Sequence, residues 1–309
     1  MAMSEAGRRW ALCIALLGMS SSVASIASGQ TVVDLEEEVD FSRPEAWAMK
    51  YFGSVNLLTG FGSPEASETG SIDVGVEVDW VPTLSDAQRT VGFVGTKMED
   101  LNKTSVFIRP WLTFGLPSQL SLTLTYLPPI EAFGVKPHLF GAAMGRPIHE
   151  TPRWRFGLRG YGQLGTIQGD FTCDADTVAA GPDPERNPFG CQEISEDEYR
   201  LRSMGVEGSI AWKLDPSGKL EPYAGVALNY LDTDFEVNAV YADMIDRTVL
   251  LTDGVTVSFT AGVGYALTDR LRLSGEVFYS PLGVVRPPET TTQNDGLFNL
   301  RSLITYRIR

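Results

Sequence analysis

The chain has 309 residues, a formal charge of −14 and 43% hydrophobic residues. That apolar content argues against a disordered chain, although length alone leaves one large domain or two smaller ones open. The acidic balance excludes nucleic acid as a partner, because such binding rests on basic groups that neutralise phosphate.

Arg8 and Arg9 precede an apolar stretch over residues 10–19, and a run of small residues follows it. This is the pattern of a secretory signal peptide covering residues 1–29, since the apolar core is shorter than the roughly 20 residues needed to cross a bilayer. Cleavage is expected after Gly29 or after Ala27. Residues 30–45 carry Asp34, Glu36, Glu37, Glu38 and Asp40 and read as an acidic periplasmic tail.

From residue 46 to 309 the dominant signal is alternation. Trp47, Met49, Tyr51, Val55 and Leu57 alternate with Lys50, Ser54 and Asn56, which predicts a first strand over 47–58. Ile72, Val74, Val76, Val78 and Trp80 then interleave with Asp73, Gly75, Glu77 and Asp79 in a strict period of two. A further strand is expected over 89–96. Strands over 104–116, 119–126 and 136–144 follow, with Pro110 marking a bulge, a broken pairing or a nearby boundary. The second half reads more cleanly, with strands over 154–167, 202–213, 221–230, 255–267, 271–279 and 297–308. Between them, tight polar turns alternate with long loops, of which residues 171–198 are the most acidic: eight acids against Arg186 alone. Counting both doubtful segments gives twelve strands. Without them there are ten, with an N-terminal segment that plugs the pore or lies in the periplasm.

The alternation lasts nine to thirteen residues in several of these strands, longer than the usual five or six of soluble sheets and matched to a tilted crossing of a bilayer. Trp80, Tyr126, Trp154, Trp212, Tyr230, Tyr265, Tyr279 and Tyr306 share the outward parity and fit the aromatic girdles of a membrane barrel. Short turns on one side and long loops on the other fix the orientation, with the 171–198 and 232–253 loops outside. Over nearly its whole mature length the chain resembles Gram-negative outer-membrane β-barrel proteins of the porin-like class. The resemblance implies an all-β transmembrane antiparallel barrel in the cell outer membrane. It also implies surrounding lipid and lipopolysaccharide, and the barrel-insertion machinery as a partner during biogenesis. The terminal Tyr306-Arg307-Ile308-Arg309 departs from the aromatic last residue usual in that class.

Once the signal is removed, Cys173 and Cys191 remain, both in one polar stretch of an exported chain. A disulfide between them closes a loop of about 18 residues, worth about 3 kcal/mol in the chain-entropy picture. Metal ligation by the two thiolates finds no further Cys or His nearby, so neither metal nor cofactor is expected. Inward parity gathers Glu77, Asp79, Arg109, Arg155, Arg159, Glu207, Glu276 and Arg301, the candidate pore-lining residues. They either order polar solutes in an open lumen or brace the barrel as an ion-pair network. The expected function is a passive channel for small solutes. One alternative is a structural or adhesive barrel displaying the clamped acidic loop. An outer-membrane hydrolase is disfavoured, because His138 and His149 match no catalytic arrangement with a serine or carboxylate. The solute and the oligomeric state are not encoded in any motif.

Overall fold

The structure, a computed structural model, describes residues 30–103, 105–214 and 219–309. The signal segment with its cleavage site lies outside the described residues, as do residues 104 and 215–218. Ten long strands form the wall: β1 Ile72–Trp80, β2 Val106–Leu116, β3 Leu120–Leu127, β4 Val135–Glu150, β5 Trp154–Gly169, β6 Asp197–Trp212, β7 Leu220–Glu236, β8 Val249–Ala266, β9 Leu271–Ser280 and β10 Leu297–Arg307. Each pairs antiparallel with its neighbours in sequence, and β10 pairs with β1 to close the ring. Closure gives each strand a partner on both sides across the belt, and only strand ends that run past a shorter neighbour stay open to other partners.

The alternation in sequence becomes two opposite surfaces. Val74, Val76, Val78 and Trp80 of β1 are exposed on the outer face, while Glu77 and Asp79 between them are fully buried inside. The same inversion holds around the ring: Phe156, Leu158, Val226, Leu228, Phe259, Val277, Leu300 and Ile304 are exposed, and Arg155, Glu207, Glu276 and Arg301 are buried. A soluble barrel has the reverse arrangement. An apolar outer wall of this extent needs an apolar solvent.

The wall therefore has ten strands, the lower of the two expected counts. Residues 44–55 form a helix, α1 (Pro44–Val55), instead of a strand. Pro44 sits in its first turn, and ten of its twelve residues are buried because the wall, the 90–98 segment and the 281–296 loop cover it. An apolar helix buried all round has no polar face, so its sequence fits a period of two as readily as one of 3.6. The other doubtful segment, 89–96, makes a small hairpin in which Thr90–Val91 faces Lys97–Met98 above the wall. Pro110 stands opposite Val76 without a register shift. Pairing with β3 reaches only to Trp111, so the proline lies at a ladder end on that side.

The first described residues also pair as short strands. Thr31–Val33 pairs with Met244–Asp246, and Glu36–Glu38 adds to Val249–Leu251 at the top of β8. The acidic tail therefore lies at the end of the barrel that carries the long loops. Its acids stay in solvent while its backbone finds free strand partners. From there the chain descends as α1 and an irregular run through the lumen, and emerges at the short-turn end where β1 begins.

Strands β4 to β8 run 16 to 18 residues, whereas the other five run 8 to 11. The tall side continues above the apolar belt, so residues 232–236 and 249–253 of the expected 232–253 loop belong to the β7–β8 ladder, and residues 237–248 connect the two strands. The expected disulfide between Cys173 and Cys191 is present, and both cysteines are buried against Ala239 and Tyr241. Replacing both by serine is expected to remove about 3 kcal/mol from the local closure of this loop. Proteolytic nicking between residues 174 and 190 should accelerate while the barrel's own unfolding transition stays in place. A shift of the global transition by the same amount would show that the loop belongs to the barrel's cooperative unit.

Candidate functional site

The inner wall meets the descending N-terminal segment through charged side chains. Glu77 accepts hydrogen bonds from Arg109 at 2.6 and 2.8 Å, from Arg301 at 2.8 Å and from the Trp111 indole at 2.6 Å. Arg109 also donates to the carbonyl of Asn56 at 2.7 Å, and Arg301 to those of Leu57 at 3.3 Å and the Thr59 hydroxyl at 3.1 Å. On the opposite side, Gly60 N–H donates to Glu207 at 3.0 Å and Phe61 N–H to Glu276 at 2.6 Å. Arg159 joins Glu207 at 2.8 Å and donates to the Gly60 carbonyl at 2.5 Å.

These contacts answer a specific physical need. Residues 56–62 run inside the barrel without helix or strand, so their backbone N–H and C=O groups have no regular partners. Wall arginines supply donors to the carbonyls, and wall glutamates supply acceptors to the N–H groups. Close approach also requires Gly60, where φ is +82° and a Cβ would lie 2.2 Å from the Glu276 carboxylate. Leu57 and Leu58 are fully buried beside this polar seam and anchor the segment by apolar contact.

All eight sequence-predicted residues thus face inward. Seven are nearly or fully buried and Arg159 is partly so. They do not line an open passage: the N-terminal segment fills the lumen between them. Four are acids and four are arginines, which matches a bracing and plug-holding network. Arg155 pairs lower down with Glu221 at 2.9 Å and with Glu65 of the plug at 3.1 Å. Asp79 lies 3.5 Å from Arg301, and neither of its oxygens has a hydrogen-bond partner among the described residues. His138 and His149 are exposed, next to the rings of Tyr126 and Phe156.

Space remains at both ends of the plug. Toward the short turns, a polar vestibule of ≈ 240 Å³ is lined by Arg159, Arg272, Arg307, Glu65 and Asp73, among others. Toward the long loops, an apolar cavity of ≈ 220 Å³ lies between α1, the 90–98 hairpin and the upper ends of β7 and β8. Phe52, Phe93, Phe171 and Phe235 contribute its rings, with Met49 and Leu101 between them. The hairpin is held in an unfavourable backbone: Phe93 and Val94 have φ of 46° and 60°, a region that a β-branched residue rarely enters. It is held there by Glu45 of α1, which accepts from Val94 N–H at 2.6 Å and from Arg43 at 2.9 Å. Phe93 also stacks on Phe189 of the disulfide loop at 5.4 Å. Burial pushes the Glu99 carboxyl up to about 7, even with Lys97 beside it.

Sequence reasoning did not find this cavity, because its residues come from four separate segments. The one local signal was Val91-Gly92-Phe93-Val94, an apolar run inside an otherwise polar outer loop.

A closed antiparallel barrel with an apolar outer wall and a polar inner wall has the architecture of an outer-membrane β-barrel protein. No family model matches the chain, and no curated protein matches it in sequence. Among solved structures it is similar to the COG4313 outer-membrane channel from Pseudomonas putida F1, at 11% identity and a TM-score of 0.43, covering 80% of this chain and 100% of that one. It is also similar to the outer-membrane protease OmpT from Escherichia coli, at 9% identity and a TM-score of 0.38, covering 77% and 92%. The Pseudomonas putida toluene transporter TodX stands at 13% and 0.34, covering 91% and 78%. At these values the function of this chain rests on its own residues.

Proposed function

We propose that the protein resides in the outer membrane of a Gram-negative bacterium and acts as a passive channel for small solutes, closed in this conformation by its own N-terminal segment. The carrying observation is the placement of the disulfide-clamped loop. It folds over the mouth and does not project from it: Phe171 at its base is buried against Phe52 of the plug helix at 5.3 Å, and Phe189 packs on the 90–98 hairpin. A loop built for display has no need of contacts with the plug. The wall's hold on residues 56–62 is also consistent with movement, since charged groups freed by departure of the segment would be hydrated in a water-filled lumen.

The test is conductance of the refolded mature chain in a planar bilayer, paired with solute flux into liposomes. Brief discrete openings and slow flux are expected. A barrel shown to be inserted that gives neither steps nor flux overturns the reading and favours a closed scaffold.

A further inference from the structure

The mouth cavity combines two features that together select a ligand. Its body is aromatic: Phe52, Phe93, Phe171 and Phe235 present faces and edges around a space that no side chain fills. Its polar edge is acidic: Glu37, Glu45, Glu99 and Asp246 line it with Arg43, and Lys97 pairs with Glu99 from behind, so four carboxylates meet two bases. That arginine is already engaged on both sides, by Glu37 and by Glu45. An incoming anion would meet a carboxylate-rich edge with both cations occupied. An incoming cation would meet carboxylates and ring faces, the two groups that attract an ammonium most strongly at a partly desolvated site. A purely apolar molecule would fill the space but leave the acidic edge unused.

We propose that this cavity binds a small apolar amine, its hydrocarbon body among the phenylalanine rings and its ammonium at the carboxylate edge. The site deepens the channel reading by naming a solute class. It rests on that reading only for transport, since binding at the mouth requires no conduction.

The experiment is calorimetric titration of the full mature chain in lipid nanodiscs at pH 8, with three probes of one shape: phenethylammonium, 2-phenylethanol and phenylacetate. The ammonium is expected to bind about tenfold or more tighter than the alcohol, with phenylacetate weakest. Leu250→Trp, which places a larger side chain on the cavity wall, should abolish binding of all three. Glu37→Gln should weaken only the ammonium. Binding of the three probes within about twofold of one another, tightest binding of phenylacetate, or no binding to a barrel that still shows its heat-dependent gel shift would each overturn the proposal. A silent bilayer recording with intact amine binding would count against the channel alone.

Discussion

Glu77→Ala is expected to destabilise the refolded barrel by about 3–5 kcal/mol, because it leaves two buried guanidiniums without their shared carboxylate. Glu77 is completely buried, as is Arg109, and Arg301 is nearly so. One carboxylate accepts from both arginines and from the Trp111 indole. Its loss strands positive charge in a lumen where the plug, and not water, occupies the adjacent space. Arg202→Ala offers the comparison: its partners Asp232 and Asp234 lie on the outer face near the rim, and its own side chain is 58% exposed. An exposed pair of this kind contributes about 1 kcal/mol or less. Urea unfolding in lipid vesicles, followed by tryptophan fluorescence, separates the two. Equal effects of the two substitutions would show that the interior network is hydrated and that the plug does not seal it.

Trp47→Ala is expected to loosen the plug more than the wall. Trp47 is fully buried, donates from its indole to the Asp295 carbonyl at 2.8 Å, stacks on Tyr51 at 5.4 Å and carries the Arg286 guanidinium 4.9 Å above its ring. It therefore fastens α1 to the 281–296 loop. Removing a buried tryptophan of this kind costs about 3–5 kcal/mol, and here the cost falls on docking of the N-terminal segment. The expected result is a large rise in open probability and in protease cleavage within residues 30–71, with the barrel's unfolding transition little changed. An unchanged open probability alongside increased cleavage would separate plug mobility from gating.

The sequence was most legible where lipid imposes a rule. Each strand crossing the belt must turn an apolar residue outward at every second position, so the beat of Ile72–Trp80 or of Val255 to Tyr265 leaves little freedom. The same rule explains where the reading failed. Above the belt the outer face no longer meets lipid, and Asp232, Asp234 and Asp253 continue the outward parity as acids while the ladder of β7 and β8 runs on. The alternation ends there, so the sequence carries no strand signal for the ladder above the belt. Inside the lumen the rule fails for another reason. α1 is covered by the wall, the 90–98 hairpin and the 281–296 loop together, and residues 56–62 depend on wall partners 52 or more positions away, over 200 for Arg301 and Glu276. The inward charges were found by parity alone. Their role in satisfying a traversing backbone required knowing that the segment was there.

In the channel we propose, residues 44–71 close the lumen and must move for solute to pass. The γ carbon of Leu58 lies 3.5 Å from where a Cβ at Gly141 would stand, so side chains at these two positions meet between plug and wall. Single-channel recording of Leu58→Cys with Gly141→Cys tests the claim directly. Oxidised, the cross-linked plug should abolish openings, and reduction should restore them to the level of the parent chain under the same reductant. Openings that persist unchanged in the fully oxidised variant would contradict the account.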